Sequence, residues 1–446
     1  MKTLSEASAQ IHSGMLRPDD LVEHCLHRIE KLDSRRNAFI TVMADHARQQ
    51  AEFATAAMRR GEDWGTLHGI PIAIKDLIDV EGVATTAGSD FFRHNTAAAD
   101  AEVVTNLKAQ GAIVIGKTNL DEFAMGVTTL NPHFNAAYNP WNPDHTPGGS
   151  SGGSGAAVAA GMALGALGTD TGGSVRIPSA FNNLSGLRPP TGLLSTRGVV
   201  PLSWTLDTVG PMAHTIRDVA MLMDALDPES DGYTVYLGQP VHGMRIGLPT
   251  NDSIWLGTST QIIMRIREAV DLLADNGLVQ HEVTLPDVER ATRMAGLLSI
   301  ADGAAYHYER LTKNPERFGV HARRRLDAGL KHTAVEYAAA RQHGREWRAA
   351  LREVFRQVDV IALPVTPIPP PRSDDVTPGL TRTLLSLTYG FSHSHLPALA
   401  IPCGFTDDGL PVGMQLVAPQ VSVLLRLGDA YQHLTEWHQA SPDLKL

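Results

Sequence analysis

The run PGGSSGGSGAAVAAGMALGALGTDTGGSVR, residues 147–176, decides how this chain is read. Two glycine- and serine-rich stretches, PGGSSGGSG at 147–155 and GTDTGGSVR at 168–176, flank the apolar AAVAAGMALGAL. That middle segment is small and apolar enough for a buried helix followed by a buried strand. A Gly/Ser run standing alone reads as a flexible linker. Here the runs are tied to core segments, so they read as loops fixed at the ends of buried elements. Glycine has no side chain and accepts unusual φ/ψ, so neighbouring backbone N–H groups can converge. Thr171, Gly172, Gly173 and Ser174 offer four consecutive N–H groups, with a hydroxyl at the end.

Upstream, LHGIPIAIKDLIDV (67–80) places β-branched runs between Gly and Pro, as in buried strands. A helix over about 100–109 leads into the strand AIVI at 112–115. Strand alternating with helix predicts an α/β fold, a sheet covered by helices. Residues 1–62 read as helical. Pro18 suits a first turn, Asp19 and Asp20 suit the positive dipole end, and a second helix spans 44–60. Downstream, 212–226 and 261–276 read as helices, and 244–249, 359–365 and 397–405 as strands. The helix-rich, Arg-rich segment 289–356 reads as a covering layer. Neither a repeat nor a clear linker interrupts the chain, so 1–446 reads as one domain, with its core loops inside 65–226.

The composition narrows the function. The chain has 446 residues, 43% apolar and 19% charged, enough for a large core. A net charge of −10 argues against nucleic-acid binding, which needs clustered Lys and Arg. An anionic small substrate stays open, because a local pocket can oppose the global sign. Two distant cysteines, Cys25 and Cys403, make no disulfide framework. The N-terminus has no signal-like apolar region, and no stretch approaches a membrane span. A cytoplasmic protein without membrane partners is expected.

An amide hydrolase lacking a catalytic His needs a hydroxyl nucleophile, a base, and donors for the oxyanion. Lys75 follows Ile72, Ala73 and Ile74 in a run that reads as buried. A free lysine has a pKa of about 10.4 and is protonated at neutral pH. Acting as a base requires burial to lower it by ~3 units, at a cost of roughly 4 kcal/mol. Asp76 would oppose this, but in a strand it points to the other face.

With these residues in hand, the chain resembles the amidase-signature family. GIPIAIKD, GKTNLDEFAMG, NPWNP, GGSSGGSGAAVAAG, GTDTGGSVRIPSAF, GLRPPTGLLSTRG, LDTVGPMAHTIRDVA, LPVTPIP and LPALAIPCGFTDDGLPVGMQLV resemble its blocks in order, from about residue 20 to 438. The resemblance implies a central mixed, twisted β-sheet covered by α-helices on both faces. It also implies a Ser–Ser–Lys triad, with Ser174 as nucleophile, Ser150 as bridge and Lys75 as base. It further implies a cis peptide at Ser150, an oxyanion hole from the N–H groups of Thr171, Gly172, Gly173 and Ser174, and ordering roles for Ser151, Asp170 and Arg176. The implied reaction runs through an acyl-enzyme, with neither metal nor cofactor, and homodimers are common in the family. Pocket candidates are Met125, Gly126, Val127, Trp204, Leu206, Tyr389, His393 and His395. The last two stand in YGFSHSHLPALAIP, where family members more often carry FNLTGLPA.

Two further motifs compete. GAIVIGKT (111–118) fits the P-loop expression, but its middle reads as strand where a phosphate cradle needs an open loop. GGSSG (148–152) fits the nucleophile elbow of α/β-hydrolases, but irregular sequence precedes it. The leading expectation is a hydrolase of a small amide, ureide or carbamate. The alternatives are the amidase subunit of a tRNA-dependent amidotransferase and a P-loop-like nucleotide-binding protein.

Overall fold

A computed structural model describes residues 3–377 and 379–444. Its strands are β1 (Phe39–Val42), β2 (Pro71–Lys75), β3 (Ile113–Thr118), β4 (Leu130–Asn131), β5 (Asn135–Ala136), β6 (Gly165–Thr169), β7 (Ser185–Arg188), β8 (Val209–Ala213), β9 (Arg245–Pro249), β10 (Val279–Val283), β11 (Val360–Pro364), β12 (Ala398–Phe405) and β13 (Pro411–Val417). Eleven of them form one sheet in the order β1-β3-β2-β6-β8-β7-β12-β13-β11-β9-β10, and β4 and β5 form a separate pair. β3, β2 and β6 are parallel, as are β11, β9 and β10, while the middle of the sheet is antiparallel. The sheet is therefore mixed.

Helices cover both faces, and β2 shows why. Strand side chains alternate between faces. Ile72 and Ile74 pack with Val103, Leu107 and Leu222 from helices on one side. Ala73 packs on the other with Val22, Leu26, Ala51 and Ala156. Helix Pro18–Arg36 buries the stripe Leu21, Val22, Cys25, Leu26, Ile29 and Leu32. Pro18 starts it, Asp19 and Asp20 occupy its first turn, and Asn37 ends it in a left-handed conformation. Both cysteines are buried and unbonded to each other.

Two expectations are corrected. Residues 1–62 are not all helical, since β1 lies between helices Pro18–Arg36 and Ala44–Arg59. Four residues are too few to reveal a period, and β1 exists because β3 offers it an edge. The helix expected from 212 begins at Ile216, after Met212 and Ala213 complete β8. Thr215 and Asp218 form a capping box that fixes this start. Among the described residues, no helix is long and apolar enough to cross a membrane.

The P-loop-like match is structural. Ile113–Thr118 is a fully buried strand, so it offers no open cradle of N–H groups. Lys117 Nζ lies 2.8 Å from the Asp76 carboxylate, both side chains fully buried. Thr85 Oγ1, 3.0 Å away, accepts a hydrogen bond from the same ammonium. Lys117→Ala should therefore destabilise the fold by about 3–5 kcal/mol, because Asp76 is left buried and unpaired. Denaturant titration checks this, and ATP should bind neither form.

Candidate active site

Open α/β sheets collect ligands at the carboxyl ends of their strands. β2 and β6 are parallel neighbours, with Ile74 opposite Leu167. Both end at the same place, in Lys75 and in Thr169–Asp170. Lys75 shares a strand face with Ala73, which packs on helix Gly152–Ala159, so its side chain runs toward the loop preceding that helix. Its Nζ lies 2.7 Å from Ser150 Oγ and 2.7 Å from Thr169 Oγ1. Lys75 is fully buried. Burial pushes its amine down to about 7, against the opposing pull of the Asp121, Asp207 and Asp170 carboxylates. A substantial neutral fraction at neutral pH follows.

The Gly149–Ser150 peptide is cis. Ser151 fastens the same loop to β6. Its Oγ donates to the Thr169 carbonyl and accepts from the Thr169 N–H, both at 3.3 Å. Thr169, second partner of Lys75, escaped the sequence reading because a threonine ending a strand reads as an ordinary strand former.

Asp170 organises the second loop. Its carboxylate accepts from the N–H groups of Gly173 (2.8 Å), Val175 (3.2 Å) and Arg176 (3.4 Å). Arg176 grips it through Nε at 3.0 Å and a terminal nitrogen at 2.9 Å. Arg188, overlooked within GLRPPTG, donates to the Asp170 carbonyl and lies 3.5 Å from the carboxylate. Burial alone would raise the Asp170 carboxyl, but Arg176 and Arg188 outweigh it and hold it at about 2. The N–H of Gly173, one of the expected oxyanion donors, is engaged by Asp170. Among the described residues, Thr171, Gly172 and Ser174 keep their N–H groups unbonded. Ser174 is 4% exposed, and no described residue bonds its Oγ; the Ser150 hydroxyl is turned to Lys75 instead. The Thr171 hydroxyl donates to Asp207 at 2.5 Å, so a buried carboxylate from the LDTVGP block also holds this loop.

The proposed pocket residues divide. Val127, Leu206 and Tyr389 share one cluster with Ile177, three residues after Ser174. A Cβ on Gly172 would fall 1.4 Å from Tyr389 Cε1, so the tyrosine ring lies directly on the loop from Thr171 to Ser174. Gly172→Ala should lower kcat by about 100-fold or more by displacing one or both. Steady-state kinetics beside a melting curve separates this loss from unfolding. Gly126 lies against the Asp121 carboxylate, and Met125 packs in a neighbouring cluster with Leu202. Trp204 is 57% exposed and lines an outer groove with Tyr308 and Tyr337, so it is not in a closed pocket. His393 stacks on His343 at 5.5 Å and packs against Gly344, on the covering helix Ala334–Val354. His395 ends helix Tyr389–Ser394 in a left-handed conformation. Among the described residues, neither ring hydrogen-bonds the serine loops. Burial pushes His393 down to about 3 and His395 to about 4, so both are neutral at pH 7.

Residues 20–422 match the family model described as Amidase. The chain belongs to the amidase family. It is thus an enzyme acting on C–N bonds. This amidase is 37% identical to a glutamyl-tRNA(Gln) amidotransferase subunit from Roseiflexus sp. (strain RS-1), across 99% of this chain and 98% of that one. A solved structure described as a vestigial protein complex revealing the origins of an s-triazine catabolic enzyme superposes with a TM-score of 0.91 at 32% identity, covering 100% of each chain. Another, described as an amidase, gives 0.90 at 32% identity, covering 97% of this chain and 99% of that one.

Proposed function

We propose that this amidase hydrolyses a small amide, ureide or carbamate through an acyl-enzyme on Ser174. The observation that supports it is a fully buried lysine, lowered to about 7, placed 2.7 Å from a serine beside a loop with unbonded N–H groups. Neutral Lys75 takes the proton of Ser150, and Ser150 takes that of Ser174 as its Oγ attacks the carbonyl. The N–H groups of Thr171, Gly172 and Ser174 receive the oxyanion. The proton returns through Ser150 to the departing nitrogen, which must be protonated to leave. Water then repeats the relay on the ester. A panel of amide, urea and carbamate substrates, read by released ammonia or amine, tests the reading. A fluorophosphonate adduct should map to the peptide containing Ser174; an adduct elsewhere sinks it.

A second reading is the amidase subunit of a tRNA-dependent amidotransferase. The amidotransferase relatives favour it, because their alignments span nearly the whole of both chains. It predicts ammonia release from glutamine, and conversion of glutamyl-tRNA(Gln) once the other subunits of such an amidotransferase are added.

A further inference from the structure

A cavity of about 540 Å³ has Tyr389, whose ring covers Gly172, as part of its wall. Its size lies within the range of small-molecule sites, roughly 300–1,000 Å³. Arg293, Arg324, Arg325 and Arg382 line it. Met294, Leu297, Ile300 and Leu385 supply apolar wall between them. No Asp or Glu lines the cavity among the described residues. Arg293 meets Glu289 at 3.8 Å outside it, and the other three arginines have no carboxylate partner among the described residues.

Two contacts tie the cavity to the reacting centre. Arg325 donates to Tyr389 Oη at 3.4 Å, and the ring of Tyr389 covers Gly172. The charge of Arg325 also acts on Asp121, which in turn acts on Lys75. Four arginines, Arg325 half-buried and the other three exposed, thus line one space that meets the Gly172 loop through the Tyr389 ring, in a protein whose net charge is −10. Guanidinium forks match carboxylates in shape and charge. An ammonium entering the same space would meet like charge and no counter-charge.

We propose that this cavity holds the anionic end of the substrate, an acyl amide carrying at least one carboxylate and no ammonium group. The proposal rests on the amide-hydrolysis reading of Ser174 and narrows it. It separates a deaminated ω-amide of a dicarboxylic acid from free glutamine, which carries both charges.

Three probes isolate the features. Glutaramate is glutamine without its α-amino group, and butyramide is the same chain without the carboxylate. Wild-type kcat/KM for glutaramate should exceed that for glutamine and for butyramide by about tenfold or more. Replacing Arg324 and Arg382 together by glutamine should bring the glutaramate-to-butyramide ratio toward one. Equal rates for the three amides, or faster cleavage of glutamine, would overturn the proposal while leaving amide hydrolysis intact. If none of the three is cleaved, glutarate binding by calorimetry decides. Binding that is lost in the double variant supports the cavity assignment, and no binding to the wild type rejects it. Failure of fluorophosphonate to label Ser174 would count against the hydrolysis reading alone, since glutarate binding needs no nucleophile.

Discussion

Ser174→Ala should lower kcat by about 10⁴-fold or more and abolish fluorophosphonate labelling, with the melting temperature almost unchanged. The size follows from what the hydroxyl does. Without it no acyl-enzyme forms, and the remaining N–H groups polarise a carbonyl that nothing attacks. The fold should tolerate the change, because Ser174 Oγ bonds to no described residue, so its removal strands no partner. Ser150→Ala should differ. It removes one of the two hydroxyl partners of the Lys75 amine, so it costs both rate and local order. Single-turnover kinetics with a chromogenic amide distinguishes the two. A Ser174→Ala variant that still builds up acyl-enzyme would remove the serine from the mechanism.

Lys75→Met should cost about 10³-fold or more in kcat/KM and raise the stability of the fold. The amine is held at about 7 rather than 10.5, so at neutral pH the folded chain forgoes a proton that the unfolded chain would bind. At about 1.4 kcal/mol per unit, that difference disfavours folding by about 4 kcal/mol at pH 7. Methionine removes this cost but leaves Ser150 and Thr169 without a partner, at about 1 kcal/mol each. The net gain is about 2 kcal/mol, readable by denaturant titration. The sign with pH follows. A group with a depressed folded pKa that must be neutral to act gives kcat/KM rising tenfold per unit below about 7 and level above it. Wild-type stability should rise with pH between about 7 and 10.5, where the unfolded chain binds more protons, and this slope should vanish in Lys75→Met. A flat rate profile from pH 5 to 8 would mean that Lys75 is not the base.

Much of the site was legible because its signals are local. Gly172 and Ser174 stand in a run that only converging backbone explains, and Lys75 follows a run of buried residues that predicts its own dehydration. Thr169, Asp207 and Arg188 were not legible. Their roles come from partners 94, 36 and 18 positions away, and nothing in the neighbouring sequence marks them. His393 and His395 misled for the opposite reason. An unusual pair attracts a functional reading, yet His393 fills space against His343 and Gly344.

Residue order was enough for the alternation of strands and helices, the two pinned glycine-serine loops, and the need for a dry lysine beside them. These are properties of short stretches, where period, side-chain size and turn chemistry act within a few residues. Only the assembled fold settles which N–H groups remain open, which carboxylates surround the amine, and where four arginines gather. Those depend on distances between segments far apart in the chain, and electrostatic energy varies with the separation and burial of charges rather than with their order along the backbone.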